Sequence, residues 1–353
     1  MTASPHDSHA SPRPRREVTL AHIAKLAGVS APTVSKVING HPGVASSTRR
    51  RIEDLVKEHG WRRRPDTTES SAVVEVLFES LDSLWALELI RGMDEVTQAY
   101  GIVVGLIDMR GRRSPHSGWI DQVLARRPVG VIAVSADIGE RQRARLASRS
   151  IPLIVVDPRG EPDHGVPSVG ATNWNGGLSA TRHLLELGHR RIAMINGPDT
   201  LMCCRARLDG YRAAMDSAGV PVDPALVRTG SLYVEGGRAN GKTLLELPEP
   251  PTAVFAANDL QALGVYQAAH RAGLRVPEDL SVVGFDDLPL AQWADPPMTT
   301  VRQPLRQMGT AAAEMVLALA SGGALAEDRV ELATRLEVRS STAAPARPRR
   351  PGH

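Results

Sequence analysis

The chain has 353 residues, 42% of them hydrophobic, and 42 Lys and Arg against 39 Asp and Glu leave a net charge of +3. That length is too great for one compact core and implies two or three domains. No apolar run approaches the roughly 18 residues of a bilayer span and no signal-peptide core opens the chain, so a membrane or exported protein is not expected and a cytoplasmic, nucleoid-associated one is. The two cysteines, Cys203 and Cys204, are adjacent and cannot staple the fold.

Residues 1–16 are rich in Ser, Pro, His and Arg without hydrophobic periodicity and read as a disordered arm. Residues 17–64 then read as a helix-turn-helix domain. Leu20, Ile23, Ala24 and Ala27 recur at the spacing of one helix face, Thr19 is placed to cap that helix, and Gly28 supplies the left-handed residue that ends it. Ser30 caps a second helix with Pro32 in its first turn, Val34, Val37 and Ile38 facing inward, and Asn39-Gly40 as its stop. Its outward residues, Ala31, Pro32, Thr33, Ser35 and Lys36, are small, polar or basic, as a helix in a major groove requires. Arg49-Arg50-Arg51 open a third helix that ends at Gly60. Through Arg64 there are 12 Lys and Arg against 5 Asp and Glu, a net +7, so the rest of the chain carries −4. Basicity concentrated on the helix-turn-helix is the footprint of phosphate binding rather than of a structural hairpin.

After a short linker at 65–72, apolar strands alternate with amphipathic helices. The strands are expected at Val73–Phe78, Ile102–Ile107, Val129–Ser135, Leu153–Val156, Arg191–Ile195, Ala253–Ala257 and Ser281–Phe285, with a helix from Leu84 to Tyr100 between the first two. This alternation predicts parallel sheets covered on both faces, divided into two doubly wound subdomains with a ligand cleft at the carboxyl ends of their strands. The Pro- and Arg-rich residues 343–353 read as a disordered tail.

Gly236-Gly237-Arg238-Ala239-Asn240-Gly241-Lys242-Thr243 fits the phosphate-cradling pattern G-x-x-x-x-G-K-[ST]. No buried strand directly precedes it, and Glu235 beside its first glycine would repel phosphate. A helix beginning near Glu235 with Lys242 on its solvent face is the expectation, and a nucleotide-binding enzyme the alternative. No H-E-x-x-H, C-x-x-C or G-x-S-x-G is present, and neither a metal, a cofactor nor a catalytic residue is expected.

Residues 18–61 resemble the DNA-binding domain of the lactose-repressor (LacI–GalR) family: Val-Thr-Leu, Ile-Ala, Ala-Gly-Val-Ser, Thr-Val-Ser, Val-Ile-Asn-Gly, Thr-Arg and His-Gly-Trp follow in the family's order. The resemblance continues through Asp157, Val169–Asn173, Leu187–Ala193, Arg207–Tyr211, Ala257–Asp259, Val283–Asp287 and Thr299–Pro304, which are similar to the family's periplasmic-binding-protein-like core. It implies an N-subdomain of about 73–172 plus 303–329 and a C-subdomain of about 173–302 plus 330–342. By matched position, Arg207 and Asp286 would clamp an effector. Asp157, Asn258 and Asp259 would support them, Trp85 would flank the ligand, and Asn173 and Leu232 or Tyr233 would contribute. An Arg fork, carboxylates and an aromatic face suit a mono- or oligosaccharide.

The implied protein is a homodimeric, sugar-controlled regulator of carbohydrate genes that binds palindromic double-stranded operator DNA, most simply a repressor, with a sugar-responsive activator as the alternative. On the DNA, Ala31, Pro32 and Lys36 would face bases while Thr19, Ser30, Thr33, Ser35 and Asn39 position the backbone. One departure stands out. Typical members follow the Gly-aromatic pair with Pro-Asn and a hinge helix whose leucine wedges into the minor groove, whereas Gly60–Ser71 is short and has no leucine. No ordinary hinge helix is expected there.

Overall fold

The computed structural model describes residues 20–38, 44–58, 71–160 and 165–346, and divides into two compact units, Met1–Thr67 and Thr68–His353. The first unit holds α1 (Leu20–Ala27), α2 (Ala31–Ile38) and α3 (Ser46–Glu58). Gly28 at φ +66° ends α1, and the Val29 amide returns to the Ala24 carbonyl at 3.1 Å, so the chain reverses in a residue no side chain crowds. The turn lets Ile23, Ala24 and Ala27 meet Val34 and Val37 over Ile52, all of them buried. Thr19, Asn39, the third helix's end at Gly60 and almost all of the linker lie outside the described residues, and with them the question of a hinge helix.

The second unit runs β1 (Ser71–Phe78), α4 (Leu84–Gln98), β2 (Val103–Asp108), α5 (Trp119–Arg126), β3 (Pro128–Val134), α6 (Glu140–Ala147), β4 (Leu153–Val156), β5 (Ser168–Ala171), α7 (Asn173–Glu186), β6 (Ile192–Asn196), α8 (Met202–Ser217), β7 (Val227–Thr229), α9 (Val234–Leu245), β8 (Ala253–Ala256), α10 (Asp259–Arg271), β9 (Ser281–Asp286), α11 (Pro289–Trp293), β10 (Thr299–Arg302), α12 (Leu305–Ala320), β11 (Arg329–Leu332) and β12 (Arg335–Glu337). Two six-stranded sheets result, ordered β11-β5-β4-β3-β1-β2 and β12-β10-β9-β8-β6-β7. Every pairing is parallel except β12, which returns antiparallel to β10. The strands are nearly continuous runs of Val, Ile, Leu, Ala and Phe because helices cover both faces: Val74, Val76, Ile132 and Ile154 pack under α4 and α12, and Met194, Phe255, Val283 and Phe285 under α7 and α8. Among the described residues no helix is long and apolar enough to cross a membrane.

The chain passes between the sheets three times, after β5, after β10 and after β11. Two of these passages are laced together: the Thr334 amide donates to Thr172 Oγ1 at 2.9 Å, and Thr334 Oγ1 lies 3.1 Å from both Thr172 Oγ1 and the Thr172 carbonyl. Two expected limits are corrected. The boundary placed at 329/330 falls inside β11, which pairs in parallel with β5 and belongs to the first sheet, so the third passage lies at 333–334. The tail expected to be disordered from 343 instead begins as structure: His189 Nε2 lies 2.8 Å from the Ala343 carbonyl, and the Ala343 amide donates to Ser281 Oγ at 3.1 Å.

Candidate DNA-reading helix and effector cleft

In the first unit α2 carries Ala31, Pro32, Thr33, Ser35 and Lys36, with Ser30 just before it. Lys36 and Ser30 are exposed and Thr33 is half-buried, its Oγ1 2.8 Å from Ser30 Oγ. On α3, Arg50 and Arg51 are exposed. Arg49 reaches the Val37 carbonyl at 3.4 Å, placing a guanidinium at the carboxyl end of α2, where a cation is favoured.

In the second unit a cleft of about 290 Å³ opens where the carboxyl ends of β1, β3, β4 and β9 face α8 and the segment before α9. Trp85, Asp157, Arg207, Leu232, Tyr233, Asn258 and Asp286 line it. Three lining residues sit at strand ends with positive φ: Ser135 at +47°, Asp157 at +49° and Asp286 at +107°. Such backbones cost about 1–3 kcal/mol each and persist where surrounding structure fixes them, as at ligand sites.

Arg207, on α8, is the centre of the site. It is buried, with its guanidinium carbon 3.7 Å from the centroid of the Phe285 ring. Nε donates to Asn173 Oδ1 at 2.8 Å and Nη1 to the Ala257 carbonyl at 2.6 Å, leaving Nη2 3.8 Å from Asp286 Oδ1. Close helix packing makes this reach possible, since a Cβ on Gly177 would stand 2.2 Å from the Arg207 carbonyl. Asp286 accepts from Gln303 Nε2 at 2.6 Å. Burial pushes its carboxyl up to about 6 and Asp157 adds to the rise, against the opposing pull of Arg207 and Gln303. Burial also raises Asp157, which Arg207, the Cys203 thiol, Ser135 and Arg159 pull back. Asn258 caps α10 by accepting from the Gln261 amide at 2.9 Å and holds the cleft wall by donating to the Leu232 carbonyl at 2.8 Å. Trp85 is half-buried against the first core, and the Tyr233 hydroxyl lies 3.4 Å from Asp82 Oδ1 across the cleft.

Two expected contacts are displaced. Asn173 does not line the cleft: buried at the start of α7, it donates to the Ala171 carbonyl at 3.0 Å and positions Arg207. Asp259 is fully buried and absent from the lining, accepting from Thr300 Oγ1 at 2.5 Å and the Leu288 amide at 2.7 Å, and burial raises its carboxyl well above the carboxylate range. Sequence reasoning missed Glu79, Ser135, Arg159 and Cys203, all of which line the cleft. Glu79 and Ser135 are the first residues after β1 and β3, and the rule that ligands bind at the carboxyl ends of parallel strands is the signal that could have found them.

Comparison with known proteins identifies the family. A family model for bacterial regulatory proteins of the lacI family matches residues 19–64, and one for a periplasmic binding protein-like domain matches 181–342. The transcriptional repressor CytR of Escherichia coli K12 is 31% identical over 92% of this chain and 96% of its own, and the transcriptional regulator CelR of Thermobifida fusca is 35% identical over 93% and 99%. The chain belongs to the LacI family. It is a DNA-binding transcriptional regulator of helix-turn-helix plus periplasmic-binding-protein-like architecture. Among solved LacI-family structures, the lac repressor dimer bound to operator and an anti-inducer superposes with a TM-score of 0.67 at 27% identity, covering 93% of this chain and 100% of that one.

The P-loop-like segment has a structural explanation within this LacI-family core. Residues 236–243 lie inside α9, not in a loop after a strand. A Cβ on Gly237 would meet the Gln261 carbonyl at 2.0 Å, so that glycine serves the contact between α9 and α10. Lys242 is exposed, with Nζ 3.6 Å from Glu246 Oε1. A phosphate cradle requires backbone amides left free by a loop, and α9 spends them on its own helix.

Proposed function

We propose that this regulator is a repressor of carbohydrate uptake or catabolism genes, released from operator DNA by a mono- or oligosaccharide. The observation that carries the reading is the cleft itself. A buried Arg207, its Nη2 turned toward Asp286, stands near Asp286 and Asp157 in a cleft that Trp85 and Tyr233 also line. Carboxylates accept from neighbouring hydroxyls, a guanidinium donates to ring or hydroxyl oxygens, and the aromatic rings cover the apolar face of a sugar. Because strand ends of both sheets line the cleft, a ligand bridging them would favour one arrangement of the subdomains, and a coupling of about 1–3 kcal/mol changes DNA affinity up to about 150-fold.

On this reading the protein acts as a homodimer in the cytoplasm, placing two copies of α2 in successive major grooves of a palindrome about one helical turn apart. Ala31, Pro32 and Lys36 would face bases, and Thr19, Ser30, Thr33, Ser35 and Asn39 the backbone. Residues 17–64 would form the DNA-binding domain, and Arg62–Arg64 at its end, just before the shortened linker, would neutralise phosphates or enter a narrow minor groove. The test is selection of bound fragments from a genomic library by the purified full chain, with and without a panel of mono- and disaccharides. A palindrome lost with one sugar is expected; a palindrome indifferent to all of them would remove the carbohydrate assignment and keep the regulator.

A further inference from the structure

The two buried cations of the cleft, Arg159 and Arg207, already face carboxylates of the protein. Four lining carboxylates, Glu79, Asp82, Asp157 and Asp286, face three guanidinium groups, Arg113, Arg159 and Arg207. Arg113 is exposed at the mouth, where solvent and salt screen any contact it makes. Arg207 directs two donors into the protein and a third toward Asp286. Arg159 remains, its side chain only 6% exposed, as the buried cation an anionic ligand would need.

Arg159 is neutralised where it stands. Nη1 donates to Glu79 Oε2 at 2.5 Å and lies 3.4 Å from the Ser135 carbonyl; Nε is 3.9 Å from Asp137 Oδ2, and Nη2 is 3.5 Å from Thr200 Oγ1. Its backbone is fixed as well, since the Arg159 carbonyl accepts from the Met202 amide at 2.7 Å. A phosphate or carboxylate could recruit this guanidinium only by displacing Glu79, and would enter beside Asp157 and Asp286. Hydroxyl donors meet no such conflict, because they add protons to surplus acceptors.

We infer that the cleft takes an uncharged polyhydroxylated ligand and rejects its phosphorylated or carboxylated counterparts, with Glu79 as the specificity-determining residue that keeps Arg159 from anions. The inference rests on the carbohydrate reading for its ligand, but its residue assignment can be tested without it. Removing the charge at Glu79 takes away the closest carboxylate partner of the buried Arg159 among the described residues, leaving Asp137 at 3.9 Å and the field of Asp157, so Glu79→Gln should create an anion site where the wild type has none.

The experiment is calorimetric titration of the full chain with glucose, ribose and cellobiose, with glucose 6-phosphate and ribose 5-phosphate, and with inorganic phosphate, on the wild type, Glu79→Gln, Asp137→Asn and Glu79→Gln/Arg159→Gln. Cooperative thermal unfolding checks that each variant folds. The wild type should bind phosphorylated ligands at least tenfold more weakly than a neutral sugar. Glu79→Gln should gain at least tenfold in affinity for inorganic phosphate and sugar phosphate, and the double variant should lose that gain. Asp137→Asn, which changes an exposed side chain, should show a smaller gain in the same direction and keeps the test decisive if Glu79→Gln does not fold. Wild-type preference for a phosphorylated ligand, or anion affinities unmoved in both single variants, overturns the inference. If no sugar binds any form but phosphate affinity follows Glu79 and Arg159 as described, the carbohydrate reading falls and the role of Glu79 stands.

Discussion

Gln303 donates from Nε2 to Asp286 Oδ1 at 2.6 Å, and its backbone amide donates to the Asp286 carbonyl at 3.3 Å. Gln303 directly follows β10, on one of the three passages between the sheets, while Asp286 ends β9 and lines the cleft. A segment that joins the two sheets is therefore fastened to a carboxylate of the cleft.

Replacing Gln303 with Ala removes a charge-assisted bond of about 1.5–3 kcal/mol and leaves a buried carboxylate short of a donor. The ligand concentration for half-release of operator DNA should rise about tenfold or more, with DNA affinity in the absence of ligand little changed. Release titrations by fluorescence anisotropy measure both. Unchanged release would mean that Asp286 needs no help from the passage segment.

A pH dependence follows from the same carboxylate. Asp286 is raised to about 6 in the folded protein against an ordinary 3.8, so the folded state holds its proton more tightly than the unfolded chain does. Stability from this group is thus fully present below about pH 4 and is lost as pH rises through about 6. Ligand binding runs the other way, because hydroxyls donate to the ionised form. Affinity should fall between pH 7.5 and pH 5.5, and Asp286→Asn should flatten that part of the profile. Calorimetry across the range, with stability followed in parallel, checks both signs.

Arg207 makes several contacts that no other side chain can reproduce together. Arg207→Ala should abolish the ligand response while DNA binding persists, and Arg207→Lys should not restore it. Lysine has no planar fork to serve Asn173 Oδ1, the Ala257 carbonyl and Asp286 together, nor a guanidinium to lie on the Phe285 ring. Breaking a buried, hydrogen-bonded charge cluster costs about 3–5 kcal/mol, so a lowered melting temperature is expected with the loss of response. A lysine variant that still releases DNA at wild-type ligand concentrations would displace Arg207 from the site.

Much of this was readable from residue order, and the limits of that reading are physical. Leu153–Val156 was read as the strand it is because a strand buried on both faces is a plain apolar run. Asp157 and Asp286, expected as ligand residues from the family resemblance, do end such strands and line the cleft. Asp259 is expected as a ligand residue from the family resemblance. Its side chain instead turns inward to Thr300 and Leu288, 41 and 29 residues away, and no local pattern encodes that direction. Arg159 escaped notice for the same reason: its importance lies in Glu79, 80 residues earlier. The limit of the second sheet was missed because β11 and β12 are separated by only Ala333 and Thr334, too short a link to signal a change of subdomain.

The glycines of α9 separate its structural role from the nucleotide-binding one. Lys242→Ala should leave DNA binding and ligand release unchanged and folding stability within about 0.5 kcal/mol of wild type, since the side chain is exposed and its pairing with Glu246 is a surface one. Gly237→Val should be severely destabilising, because its Cβ would stand 2.0 Å from the Gln261 carbonyl and no side chain can yield to relieve a backbone contact. A nucleotide site would reverse this order, with Lys242→Ala abolishing an ATP-dependent activity while stability stayed intact. Thermal unfolding of both variants, with ATP binding measured on the lysine variant and wild type, distinguishes a helix packed through its glycines from a phosphate cradle.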